Sequence, residues 1–444
     1  MCAMEKTKII LMLLLLFGAS TLYAQGKKNA KSDKKDNVVI VDDEACGCEL
    51  VFIDGIQTIQ RGDLFGFKRE DGTIIVEPKY KFVDKFHDNY CLVYKDYNLC
   101  GLIDRDGREI VPPEYEEVNY PTDGMIRVRK NERYGFVDTT GALAIDCQYR
   151  TASGFSEGLA VALIDIDSNT MGYGFIDKNN KIQIAPKYEY AMAFQEGRAV
   201  VKLYDRFGMI DRDGNEVLPC KYLEVTNMYE GRFFAVDAKE GKAALFNNRY
   251  KRLTNFIYDK ILLYQEDYYI VVRDGGYYFL ARDGKEKFGR YEEASGFYDG
   301  YSMVKRDGKY GIINKRGKVI LPIEYDNSGY RSMEYIFSEN LAMIEKDGKY
   351  GFVNKQGKIV IPLIYNSAQH CTEGLIPVSK EYMWGFIDKE GNQVCDFVFT
   401  AASYFEWGRA EVVYNTEVFK INTEGQCVKN CKKYPDNIKF NFKH

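Results

Sequence analysis

The 444 residues carry 61 Lys and Arg against 65 Asp and Glu, a net charge of −4, which excludes the clustered positive field that displaces counterions from nucleic acid. Only three histidines exist, His87, His370 and His444, far apart and in no ligand-type spacing, so a zinc site or a Ser-His or Cys-His nucleophile lacks its usual base. Aromatics are abundant, with 35 Tyr and 27 Phe, which suits a core assembled from many small β units.

Residues 1–24 read as an export signal. Lys6 and Lys8 precede an uninterrupted apolar run over residues 9–17, and Leu22-Tyr23-Ala24 offers a small residue at the cleavage position. The run is shorter than the ~20 apolar residues of a spanning helix. Because Cys2 precedes it, that residue is not placed as a lipid acceptor. No later segment is apolar enough to span, so the mature chain is expected to be exported, to the periplasm, the outer surface or the medium. Residues 25–47, rich in Lys, Asp, Asn and Ser, bury too little apolar surface to offset their ordering entropy and predict a flexible charged linker. Ten cysteines follow the signal; their even count suits an oxidising compartment, and spacing alone fixes no pairing. Cys91 and Cys100 flank one predicted hairpin turn and are the first pair to test; small buried apolar packing is the alternative.

Residues 48–428 repeat one pattern about ten times. Starts fall at Phe65, Cys100, Tyr134, Tyr173, Phe207, Ala243, Tyr277, Tyr310, Tyr350 and Trp384. Fifteen residues after most starts stands an aromatic, as at Tyr80, Tyr115, Tyr149, Tyr188, Tyr222, Tyr258, Tyr325, Tyr365 and Phe399, with Tyr291 one place early. Such fixed spacing under loose identity is a structural register. Within a unit, three short β signals alternate with turns, each far below helix length. Seven residues after the start comes a glycine (Gly72, Gly107, Gly141, Gly214, Gly284, Gly317, Gly357, Gly391), which admits the positive φ of a tight hairpin. Asn180 is the best substitute there and Tyr250 the clear failure. Proline at Pro78, Pro112, Pro186, Pro219, Pro322 and Pro362 is expected to stop the third strand, since it lacks a ladder donor. An irregular crossover follows, pinned by large side chains such as Phe155, Phe194 and Phe405.

The motif resembles the WG-containing repeat, also called the KWG repeat, of exported bacterial proteins. Trp384-Gly385 keeps the name-giving pair, and Tyr134-Gly135, Tyr310-Gly311, Tyr350-Gly351 and Phe65-Gly66 are its variants. The likeness covers residues 65–428, ending in a half copy at residues 418–425. It implies an all-β repeat array and no particular enzyme activity. A tandem array of three-stranded antiparallel meanders, elongated and twisted, is the expected fold, because such units are short for propeller blades and ten exceed the usual blade number. One or two propeller-like rings are the alternative. Residues 429–444 form a basic tail, expected to be a solvated end.

Each recurring motif residue has a structural task, including the acids four residues after the starts, Asp104, Asp138, Asp177, Asp211 and Asp388, which cap the turn. Function is therefore sought where the motif fails. Asp165 and Asp167 sit in an enlarged loop that begins like a calcium loop but places Thr170 and Ile176 where Gly and Glu belong. Repeats six and seven depart most: Ala244 and Tyr278 replace the glycine of the pair, and residues 264–278 are crowded with tyrosine, including Tyr264, Tyr268 and Tyr278. A second enlarged loop, residues 326–335, carries Tyr330, Arg331 and Tyr335. Insertions in repeat arrays tend to share a face and bind partners. The chain is expected to be a non-enzymatic envelope protein with these eight residues as partner contacts and with no cofactor, metal or nucleic acid. The alternatives are a glycan or peptidoglycan module reading its ligand with off-register tyrosines, and a hydrolase.

Overall fold

Tyr134 and Tyr149, fifteen positions apart in sequence, stand opposite each other on adjacent antiparallel strands. The same pairing recurs at Phe65 and Tyr80, Cys100 and Tyr115, Tyr173 and Tyr188, Phe207 and Tyr222, Tyr310 and Tyr325, Tyr350 and Tyr365, and Trp384 and Phe399. The register read from sequence is thus a cross-strand register. A computed structural model describes residues 55–326, 336–429, 431–435, 438, 440 and 441. The export signal, the linker, Cys46, Cys48, and Tyr330, Arg331 and Tyr335 lie outside the described residues.

Between the paired aromatics the ladder bulges. Tyr134 pairs with Tyr149 but Phe136 already pairs with Ile145, so residues 146–148 crowd opposite Gly135. A Cβ on Gly135 would lie 2.5 Å from the Ile145 carbonyl oxygen, and one on Gly66 would lie 2.2 Å from that of Val76. That clash is why the pair needs glycine. It also corrects the expectation for proline: the third strands Ile74–Tyr80, Glu216–Tyr222 and Val319–Tyr325 run through Pro78, Pro219 and Pro322 to the aromatic. Each proline sits inside the bulge of an edge strand, where its missing N–H breaks no ladder bond.

The crossover contains a further strand. In the unit around Tyr134 the sheet order is Glu117–Val118, Met125–Lys130, Arg133–Asp138, Leu143–Tyr149. Two-residue strands in the same place, such as Tyr190–Ala191, Glu293–Ala294 and Ser367–Ala368, make most units four-stranded where three were expected. Two residues are too few to show a period of two.

Among the described residues eleven sheets of three or four antiparallel strands follow one another, and none of these closes on itself. The eleventh is complete where a half copy was expected: Ala401–Ala402, Arg409–Tyr414, Glu417–Asn422 and Cys427–Lys429. Beyond it the tail folds back. Phe440 is buried with its ring 5.1 Å from that of Phe386, and the Asn441 N–H donates to the Val394 carbonyl at 2.8 Å, so these tail residues cap the last core instead of being solvated.

Cores lie between consecutive sheets. Phe136 of one unit meets Phe155 of the next crossover at 4.8 Å, as Phe175 meets Phe194 at 4.9 Å and Phe386 meets Phe405 at 5.3 Å. The large crossover side chains do pin the array, as expected. Tyrosine at the fifteenth position adds a polar link: the hydroxyls of Tyr80 and Tyr149 donate to Glu109 (2.7 Å) and Asn180 (2.6 Å) of the following unit. Cys427 and Cys431 form a disulfide with Cα atoms 5.6 Å apart, while Cys91 and Cys100 are unpaired and buried. These two sit opposite Ile103 and Tyr94, out of cross-strand register with each other.

Candidate functional site

Besides the glycine turn between the second and third strands, two further kinds of turn recur along the array. The turn entering the first strand is a two-residue hairpin with both residues at positive φ, as at Glu157 (54°) and Gly158 (84°), and Glu196 (51°) and Gly197 (73°). Its acid reaches forward. Asp123 accepts from the Gly158 N–H at 2.5 Å, Glu157 from Gly197 at 2.9 Å, Glu196 from Gly231 at 2.8 Å, Glu339 from Gly374 at 3.2 Å and Glu373 from Gly408 at 2.8 Å. A cation five places after the second start downstream often joins the acid, as Lys178 joins Asp123 (3.6 Å) and Lys389 joins Glu339 (2.6 Å). Acid, glycine and cation thus form a rail that links neighbouring units over several stretches of the array. Sequence reasoning missed it, although an acid before the turn glycine and a basic residue after the capping Asp both recur in register.

The rail changes course at the sixth and seventh units. Glu230 accepts from the Tyr264 hydroxyl at 3.0 Å and pairs with Arg282 at 3.0 Å; Glu266 then resumes the pattern by accepting from Gly300 at 2.9 Å.

The second turn joins the first and second strands. At its tip stand Tyr204 and Tyr382, 83% and 85% exposed, with φ of 49° and 66°. Tyr97 is 70% exposed on the corresponding hairpin between Tyr90–Tyr94 and Cys100–Asp104. Carboxylate or amide oxygens fasten these tips: Glu189 accepts from the Asp205 N–H (3.2 Å) and Asn366 from the Glu381 N–H (3.0 Å). On the acid–glycine rail, Trp407 takes the acid's place and is 71% exposed. None of these four aromatics was singled out from sequence; exposure is the property that spacing does not reveal.

Asp165 and Asp167 are exposed on an enlarged tip of the same second kind, between Leu159–Asp165 and Met171–Asp177. Asp167 accepts from the Asn169 N–H at 2.9 Å, a bond that holds its carboxyl below the usual range. Among the described residues no three His, Cys, Asp or Glu side chains gather as a metal ligand set. Tyr264, Tyr268 and Tyr278 are all half-buried. Tyr268 packs 5.2 Å from Phe297 and 5.3 Å from Phe288, Tyr264 4.5 Å from Tyr269, and the Arg273 guanidinium lies 4.5 Å over the Tyr278 ring. The structure therefore does not join them to Asp165 and Asp167 in one site. The recurring acids do cap turns: Asp138 accepts from the N–H groups of Thr140 and Ala142, and Asp177 from those of Asn179 and Lys181.

Small antiparallel sheets in tandem, fastened unit to unit by the same turn residues, define an all-β repeat protein. The chain belongs to the WG-containing repeat family, whose model matches residues 65–98, 101–134, 134–165, 173–206, 207–242, 283–310, 310–350, 350–383 and 384–415. Residues 243–282, where the rail changes course, fall outside the matched segments. No curated protein matches the sequence. Among solved structures it is similar to BamB from Moraxella catarrhalis, at 13% identity and a TM-score of 0.33 over 63% of this chain and 94% of that one. It is also similar to a eukaryotic initiation factor, at 10% identity and a TM-score of 0.35 over 69% and 94%. Among the described residues no helix is long and apolar enough to cross a membrane.

Proposed function

We propose that this chain is an exported, non-enzymatic scaffolding module of the cell envelope whose hairpin tips engage a protein partner. The observation that carries the reading is the pair Tyr204 and Tyr382, bulky residues held in the left-handed region with their rings in water. Such a backbone costs on the order of 1 kcal/mol for a bulky residue. The exposed rings bury little in return. Aromatics kept at that cost are suited to contact, since a large rigid ring supplies area with little lost entropy.

Cross-linking the mature protein in an envelope fraction, beside a Tyr204→Asn/Tyr382→Asn double variant, tests the reading. A polypeptide captured by the wild type and lost with the variant is the expected result, and equal capture by both would overturn it. Exposed tyrosine also suits the flat face of a sugar. Saturable binding to peptidoglycan that falls with the same variant would replace the protein partner by a glycan. Export rests on residues 1–24; an epitope-tagged full chain found uncleaved in the cytoplasm would contradict it.

A further inference from the structure

The last joint of the array is built differently from earlier ones. In those, the glycine turn of one sheet comes directly against the third strand of the sheet before it. A Cβ on Gly107 would lie 2.7 Å from the Ile75 carbonyl oxygen, one on Gly141 3.0 Å from that of Ile110, and one on Gly284 2.8 Å from that of Leu253. These acceptors stand ten residues after a start, the place that Val394 holds in the tenth unit. At the last joint the tail takes both partners. The nearest atoms to a Cβ on Gly425 belong to the Phe440 ring, at 2.3 Å, and the Val394 carbonyl accepts from the Asn441 N–H at 2.8 Å. Phe440 is thus a wedge between two sheets, its ring 5.1 Å from that of Phe386 and 6.2 Å from that of Phe405.

One covalent bond fixes the bend that sends the tail back into this joint. Half-buried Cys427 lies on the last strand, exposed Cys431 opens the short 3-10 turn Cys431–Lys433, and the two form a disulfide. Beyond it the Tyr434 ring packs 5.2 Å from that of Phe419, and its hydroxyl donates to the Gly425 carbonyl at 3.0 Å. The Lys433 ammonium pairs with Glu417 at the surface. Two rings and a few polar contacts are set against the entropy of ordering the tail. A cross-link that restricts the released tail shifts that balance towards the docked state.

We propose that the Cys427–Cys431 disulfide is a redox latch on this wedge. Oxidised, it keeps Phe440 in the last joint. Reduced by a dithiol, it lets the tail leave, and the Gly425 turn then packs directly on the Val394 carbonyl as its counterparts do on theirs. In the reduction, a thiolate of the dithiol attacks the exposed Cys431 sulfur and displaces the Cys427 thiolate, which takes up a proton. The second thiolate of the dithiol closes its own disulfide and displaces Cys431, which takes up another. The dithiol has then given two electrons and two protons. The latch goes beyond the scaffolding reading and stands whether or not the hairpin tips carry a partner.

Hydrogen–deuterium exchange read by mass spectrometry tests it on the purified mature protein, oxidised and after dithiothreitol. The peptide containing Phe440 and Asn441 is expected to exchange about tenfold or more faster once the disulfide is reduced, while that containing Arg133–Asp138 keeps its rate. Cys427→Ser/Cys431→Ser should exchange as fast without reductant, and Phe440→Ala should do so with the disulfide intact. A tail peptide that stays slow after alkylation has counted both new thiols, or in the serine variant, would overturn the latch. Equal acceleration at Arg133–Asp138 would overturn it too, by making the disulfide a support of the whole fold. Slow tail exchange in Phe440→Ala would overturn the wedge.

Discussion

The carboxylate of Glu157 accepts a 2.9 Å hydrogen bond from the backbone N–H of Gly197, the second residue of the equivalent turn one unit further on. A local hairpin therefore also fastens its neighbour, and the stability of the array divides into terms within units and terms between them. Glu157→Ala leaves the half-buried Gly197 N–H without its acceptor and should cost about 1–2 kcal/mol. Glu157→Gln keeps an acceptor oxygen without the charge and should cost about half as much. Urea midpoints distinguish the two, and a wild-type midpoint for Glu157→Ala would mean that the rail carries no stability.

Glycine at the second motif position answers a different demand, close approach of the bulge. Gly135→Ala places a methyl group 2.5 Å from the Ile145 oxygen, and a backbone atom cannot swing aside as a flexible side chain does. A loss of about 2–3 kcal/mol is expected, typical of overpacking. The reciprocal change, Ala244→Gly, falls where the third strand has already departed and should move stability by about 1 kcal/mol or less. Thermal melts of the two variants make the comparison; equal losses would show that the bulge is not what the glycine serves.

Tyr204 and Tyr382 should behave in the opposite sense. Asn tolerates the left-handed region better than a bulky residue, and the rings are exposed, so Tyr204→Asn and Tyr382→Asn are each expected to stabilise the fold by about 0.5–1 kcal/mol. If the tips serve binding, the same variants lose partner capture as they gain stability. A lowered melting temperature would mean that the rings contribute to the fold after all.

What could be read from sequence was what repeats locally. The spacing from Tyr134 to Tyr149 and the glycine at Gly141, which adopts a φ of 98°, both describe contacts closed within one unit. Pro78 misleads because a missing donor looks like a strand end, yet it lies in a bulge that needs no donor there. Glu157 and Gly197 lie forty positions apart, so the turn is visible in sequence while its fastening role is not. Tyr264 and Tyr268 stand outside the repeat pattern, which singles them out, but departure from a pattern does not imply exposure: their rings meet Tyr229 and Phe297 of neighbouring units. Phe440 likewise is a buried ring within a stretch whose basic charge hides it.

The unpaired cysteines give the fold a pH dependence. Burial pushes the thiols of Cys91, Cys371 and Cys395 up to about 12 and that of Cys220 up to about 11, against an ordinary value near ~8.5. Below about pH 8.5 these thiols are protonated folded and unfolded alike, and their contribution is fully present. As pH rises, the unfolded chain releases protons that the folded chain retains, so stability falls above about pH 9 and continues to fall until the folded thiols titrate. Burial raises Tyr188 and Tyr264 to about 12 as well, which steepens the decline above the ordinary tyrosine value of ~10. Urea midpoints should be level from about pH 7 to 8 and drop progressively above 9, with a shallower drop in Cys91→Val. A thiol reagent at about pH 8 should leave Cys91, Cys371 and Cys395 unmodified until urea exposes them, because only the thiolate reacts. Rapid labelling of all three in the native protein would show that these thiols are not held in closed cores between units.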